Sequence, residues 1–237
     1  MEQIQLGDIT IDVEQKDIKN LHLSVYPPTG RVRIAAPLHM DLETIRVYAI
    51  SKLSWIKKQQ NRIGSQEREA PRDFVSRESH YYLGKRYLLK ILEQDAPPKV
   101  IQTHSTLEFH LRPGTDLSKR QEILENWYRV RLKEIVPSYI SNWETVLKVR
   151  VNEFAIKKMK TKWGSCNTQA KRIWLNLELA KKPPQCLEYI IVHEMLHLLE
   201  HRHNARFISL MDNYLPNWRH LKTELNRMPV GHAEWKY

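Results

Sequence analysis

Apolar and polar positions alternate with a period of two over Ile9-Thr-Ile-Asp-Val13, Leu21-His-Leu-Ser-Val25 and Val32-Arg-Ile34. That period predicts half-buried strands within residues 1–36. Pro27, Pro28 and Gly30 between the second and third runs predict a hairpin, and Pro37 ends the stretch. The period then changes. Asp41 has the chemistry of a helix cap, and Ile45, Ala49, Leu53 and Ile56 follow at helical spacing, predicting one helix to about residue 63. Residues 64–71 are polar and unpatterned, a connector. Strand-like runs return at Tyr82–Leu92, Val100-Ile101 and Leu107–Leu111, punctuated by Pro97-Pro98 and Pro113-Gly114.

Asp116 opens a long amphipathic stretch carrying Ile123, Leu124, Trp127, Val130, Leu132 and Ile135, which Pro137 is expected to end or kink. Strands are predicted at Val149–Phe154 and Ile173–Leu177. Pro183-Pro184 suit a helix start, with the helix running from Cys186 to about Leu199. Two further helices are expected near Ala205–Tyr214 and Trp218–Asn226. No internal repeat is visible. The pattern is α+β: a β-rich N-terminal region with one helix over 1–115, then a mostly helical domain with a small sheet over 116–237.

Composition changes this picture little. The chain has 237 residues, 41% hydrophobic and 27% charged, enough to bury a substantial core. Two cysteines, Cys166 and Cys186, make no disulfide framework. The opening residues lack the basic and apolar regions of a secretion signal, and no apolar run is long enough to span a membrane. The expectation is a cytoplasmic protein with no membrane partner. Lys and Arg number 38 against 27 Asp and Glu, a net charge of +11. That excess suits an anionic nucleotide or a nucleic acid, but it is spread along the chain rather than gathered in one arm.

The chemistry lies in His193-Glu-Met-Leu-His197. Two histidines four apart on a helix stand one turn above the other, so both imidazoles reach one ion. Glu194 beside them can take a proton from water as general base. The surrounding Leu187–Leu199 stretch is almost wholly apolar, and two histidines and a carboxylate inside it are costly unless an ion satisfies them. Zinc is the expected ion, and imidazole ligands also accept nickel or cobalt. A catalytic site needs a third ligand; His203 sits ten residues after His193, and His201, His220 and Glu224 are rivals.

These residues sit among others that together resemble the YgjP-like metal-dependent hydrolases, relatives of the SprT-like zinc proteases. The matching features are Trp163-Gly-Ser-Cys166, Leu175-Asn-Leu177, Val192-His-Glu-Met-Leu-His-Leu198 and His203-Asn-Ala-Arg-Phe207, with Ala36-Pro37, Trp55-Ile56 and Tyr82-Leu-Gly-Lys85 in the first half. The resemblance implies a zincin-like hydrolase domain over 116–237, metal ligands His193, His197 and His203, and a peptide or protein substrate. It also implies that the strand holding Asn176 runs along the cleft, where Asn176 either orients substrate or caps a backbone group. Trp163 is expected to wall the site and Cys166 to pack as a small apolar residue. Arg206, Tyr214 and His220 are candidates to stabilise an oxyanion. Two other functions fit the same residues: a metal-dependent nucleoside triphosphate pyrophosphatase, and a zinc-stabilised nucleic-acid-binding module. Glu194 argues against the second, since a structural zinc site needs four ligands and no base.

Overall fold

A computed structural model describes residues 2–26, 29–64, 72–159 and 162–228. It resolves into two compact units, Met1–Glu67 and Arg68–Tyr237.

In the first unit, strands β1 (Glu2–Leu6), β2 (Ile9–Lys16), β3 (His22–Tyr26) and β4 (Arg31–Pro37) form a sheet in the order β1-β2-β4-β3. The outer pairs are antiparallel and β2 runs parallel to β4, with Ile11 opposite Val32 and Val13 opposite Ile34. The period-two pattern puts Ile9, Ile11, Val13, Val32, Ile34 and Ala36 into one core. The expected β3–β4 hairpin is present; its Pro27-Pro28 lies outside the described residues. Asp41 caps the next helix, accepting from the Thr44 amide at 2.7 Å. The single helix expected to residue 63 is two, α1 (Leu42–Ser51) and α2 (Leu53–Gly64). The backbone leaves the helical region at Lys52, whose N–H bonds back to Ala49 and Ile50. Both halves still deliver their apolar positions, Ile45 and Ala49, then Ile56 and Ile63, to the same core. The connector expected at 64–71 lies, from residue 65 on, outside the described residues.

The second unit begins with β5 (Ser79–Tyr82), β6 (Lys85–Glu93), β7 (Lys99–Gln102) and β8 (Thr106–Leu111), ordered β5-β6-β8-β7. The run read as one strand from Tyr82 is folded back at Leu83-Gly84, both at positive φ (47° and 78°). Helix α3 (Leu117–Leu147) follows, with Asp116 accepting from the Lys119 amide at 2.8 Å. It runs through Pro137 instead of ending there. A proline inside a helix costs about 3 kcal/mol. Leu132, Val136 and Ile140 are buried on either side of it, each contributing about 1.5–3 kcal/mol, which outweighs that loss.

A three-stranded sheet, order β10-β11-β9, comes next: β9 (Glu153–Lys157), β10 (Gly164–Asn167) and β11 (Arg172–Asn176). The strand expected from Val149 starts only at Glu153. Helix α4 (Pro184–Leu196), α5 (Ala205–Tyr214) and α6 (Trp218–Arg227) complete the unit. No helix among the described residues is long and apolar enough to cross a membrane.

The boundary expected at 115/116 moves to Glu67/Arg68. Leu89, Leu107, Phe109 and Leu111 of the second sheet share one core with Leu124 and Leu132 of α3, Ile173 and Leu175 of β11, and Leu187 and Ile191 of α4. A β-rich region ending at 115 would cut through that core.

Candidate metal centre

Helix α4 has no polar face. Cys186, Leu187, Tyr189, Ile190, Ile191, Val192, Glu194, Met195 and Leu196 are all buried. Such a helix is stable only when enclosed. It packs against α3, β10, β11, α5 and α6. Its regular hydrogen bonding ends at Leu196, and the last turn tightens through Leu198 and Leu199 amides onto Met195 and Leu196 carbonyls at 3.0 and 2.9 Å. The chain then turns through 200–204 without any residue at positive φ, so neither glycine nor asparagine is needed for the turn itself. Asn204 instead caps α5, accepting from the Phe207 amide at 3.0 Å.

This exit brings His203 back onto α4. The nearest ligand atoms of His193, His197 and His203 all lie within 4.8 Å of one another, and the Nε2 atoms of His193 and His203 are 2.9 Å apart. The Nδ1 of His197 meets the Glu200 carbonyl at 3.1 Å, a contact that fixes the ring and leaves Nε2 with its lone pair. Phe207, 1% exposed, stands 4.8–5.0 Å from all three rings, stacked on His197 and edge-on to the other two. Burial pushes the pKa of His193 down to about 3, with His197, His203 and Lys222 adding to the effect. His193 is therefore neutral at physiological pH, the form that ligates a metal.

The donor set fits a divalent transition metal. Nitrogens bound tetrahedrally at about 2.05 Å stand about 3.3 Å apart, a spacing these rings reach with shifts of a few tenths of an ångström. Three nitrogen ligands leave one position open. Among the described residues no other histidine, cysteine or carboxylate joins the cluster. The rivals are elsewhere: His201 and His220 are exposed, and Glu224 accepts from the Cys186 thiol at 4.0 Å.

Glu194, 5% exposed, is buried beside the cluster. Burial pushes its pKa up to about 8, against the pull of Lys162. Gly164 at the start of β10 makes room for it. A Cβ there would stand 2.6 Å from Glu194 Oε1 and 2.7 Å from its Cγ, closer than real contacts allow. Cys166, two residues on, is a half-buried thiol pushed up to about 11 by burial and by Glu194, packed against the core and absent from the histidine cluster.

The remaining expected site residues divide. Trp163 is half-buried directly before Gly164, its ring 5.8 Å from the Lys182 ammonium. Asn176 has no capacity left for a substrate: it is buried, donates to the Met159 and Lys162 carbonyls at 3.0 and 2.8 Å, and accepts from the Glu178 amide at 3.2 Å. It pins the chain leading into β10. Arg206 is 71% exposed, 3.9 Å from Glu200, and Tyr214 is half-buried at the end of α5. Two residues of the site had no assigned role in the sequence reading, Gly164 and Phe207. Their signal was present in the Trp-Gly-Ser-Cys and Arg-Phe pairs, but their contacts are tertiary.

A family model described as YgjP-like, metallopeptidase domain, matches residues 19–228. The chain is also similar to two archaeal metallopeptidase zymogens of known structure. Abylysin of Pyrococcus abyssi shares 18% identity over 40% of this chain and 100% of its own, with a TM-score of 0.36. Jannalysin of Methanocaldococcus jannaschii shares 23% over 38% of this chain and 92% of its own, with a TM-score of 0.34. Such scores carry no weight for the fold. No curated protein matches.

Proposed function

The chain belongs to the YgjP-like metallopeptidases, and from that premise we propose that it hydrolyses peptide bonds with Glu194 as general base and with His193, His197 and His203 holding the metal. It is a metal-dependent hydrolase by family; the peptide substrate, the zinc and the residue roles are the proposal. A zinc ion bound there supplies Lewis acidity, which polarises a carbonyl and makes a nearby water more acidic.

The chain's own residues do the rest. Phe207 and the Glu200 carbonyl hold the imidazoles in place. Glu194 takes the proton of the attacking water at its carboxylate and delivers it to the departing amine nitrogen. A carboxyl whose pKa is pushed up to about 8 suits both halves of that transfer near neutrality. Trp163 walls the site, and Asn176 acts by positioning the 159–162 chain rather than by touching substrate. The observation that carries the reading is a buried carboxylate beside three converging neutral imidazoles. A structural zinc site would want a fourth ligand and no such carboxylate. No observation favours phosphoanhydride hydrolysis over this reaction.

Glu194→Gln keeps shape and hydrogen bonding but cannot accept the proton. With casein and quenched fluorescent peptides as substrates, and nucleoside triphosphates alongside, the variant should retain its metal and lose about a hundredfold or more in turnover. Wild-type turnover with metal bound would remove Glu194 from the base role. Cleavage of nucleotides alone would overturn the peptidase reading.

A further inference from the structure

The charges around this site are nearly all of one sign. Lys162 is exposed immediately before Trp163, two residues from the glycine that lies against Glu194, and its carbonyl is tied to Asn176 at 2.8 Å. Lys222 is exposed on α6, its ammonium 5.7 Å from the Trp218 ring. Each is close enough for its charge to act on a reacting group, Lys162 on Glu194 and Lys222 on His193. Arg202 and Arg206 flank His203, and the one carboxylate facing them is Glu200, which accepts from the Arg202 amide at 3.3 Å and lies 3.9 Å from the Arg206 guanidinium.

Exposed lysines are commonly just solvated. Two features set these apart. Elsewhere in the unit lysines are paired: Lys158 with Glu125 at 2.6 Å, Lys90 with Glu108 at 2.9 Å, Lys119 with Glu122 at 2.8 Å. Among the described residues neither Lys162 nor Lys222 has a carboxylate partner. Moreover, cations next to a site for a divalent cation oppose its binding. Their placement therefore works against the metal and is explained by an anionic ligand that arrives later.

We propose that the polypeptide bound at this site carries acidic side chains beside the scissile bond, and that Lys162 and Lys222 recognise them. This rests on the peptidase reading above. Lys162 reaches the segment from the β9–β10 side and Lys222 from α6, so acidic residues on either side of the cleaved bond are favoured. Lysine suits the task because its ammonium is a compact point charge on a flexible stem, tolerant of sequence around the carboxylate.

Binding tests this without requiring turnover. Metal-loaded full-length Glu194→Gln is titrated with decapeptides of equal apolar content carrying four Glu, four Gln or four Lys, each bearing an uncharged fluorophore. The acidic peptide should bind about tenfold more tightly than the neutral one at low ionic strength, the difference shrinking as salt is raised. Adding Lys162→Glu and Lys222→Glu, or the milder Lys162→Gln and Lys222→Gln, should abolish the preference while metal content stays unchanged; Lys99→Glu on the second sheet should preserve it. Equal binding of the acidic and neutral peptides overturns the proposal, as does a preference that survives both reversals. A single-stranded oligonucleotide that depends on the two lysines when the acidic peptide does not would also overturn it. Failure of the wild type to cleave any peptide sinks the peptidase reading, whereas the binding preference is decided by its own titration.

Discussion

Set side by side, the sheets β1-β2-β4-β3 and β5-β6-β8-β7 have the same strand order and the same pairing directions: antiparallel, parallel, antiparallel. Each opens with a hairpin turning on a glycine at positive φ, Gly7 (62°) and Gly84 (78°). Each is followed by a helix capped by an aspartate, Asp41 and Asp116. Their fates differ. The first sheet closes its core with its own two short helices, using Ile, Val and Ala. The second is bulkier inside, with Tyr82 and Trp127 rings 4.9 Å apart, and its core continues into α3, β11 and the histidine helix. Even its hairpin glycine is engaged, since a Cβ on Gly84 would stand 3.0 Å from Pro183 at the start of α4. Topology alone thus gives no site. What matters is whether the sheet's inner face ends with its own helices or supports a later one.

The comparison breaks most readily by truncation. Leu107→Ala and Ile11→Ala each remove a fully buried side chain, and each should cost about 2–5 kcal/mol of its unit's stability in chemical denaturation. Only Leu107→Ala should also weaken metal retention, because its core is the one that holds α4. If Ile11→Ala strips the metal equally well, the two cores are not independent.

A smaller change sharpens the contrast inside the second unit. Gly164→Ala adds one methyl where Glu194 already lies, and it should lower turnover about ten- to hundredfold while metal content holds. Unchanged turnover would mean that Glu194 can move aside at no cost to its role.

The smallest expected difference is in acid stability. In the second unit, burial holds the His80 pKa down to about 3, aided by Arg72 and Lys181. A histidine depressed on folding contributes stability above its ordinary value near 6.5 and loses it as the pH falls towards 3. In the first unit, burial raises the Asp12 pKa, but hydrogen bonds from Gln3 and Arg31 outweigh that and leave it below the ordinary range. Its contribution is lost only below about pH 4. The second unit should therefore soften first on acidification, and His80→Gln should remove about 1–2 kcal/mol of that loss at pH 5. Identical acid profiles for wild type and His80→Gln, followed in the metal-free protein, would contradict this.

Much of this was legible in the chain. Both aspartate caps, the β3–β4 hairpin and the helices α5 and α6 follow from local signals. The α1–α2 break was hidden because Ile45, Ala49, Leu53 and Ile56 keep helical spacing across Lys52. Leu83 masked a turn because an apolar residue there continues the strand pattern. Pro137 misled because the burial that carries the helix past it comes from the rest of the unit. At the site, the spacing of His193, Glu194 and His197 reads directly as chemistry. Phe207 and Gly164 do not, since one acts by touching three rings and the other by having no side chain. Asn176 had two readings, and its hydrogen bonds select the cap.

The central claim is that His193, His197 and His203 together hold one metal ion. Elemental analysis of gently purified wild type, His203→Ala and His201→Ala tests it most directly. The account expects close to one divalent transition metal per chain in the wild type and in His201→Ala, and little or none in His203→Ala. A wild type that carries no metal and takes none up on titration, or a His203→Ala variant that keeps its full complement, would contradict it.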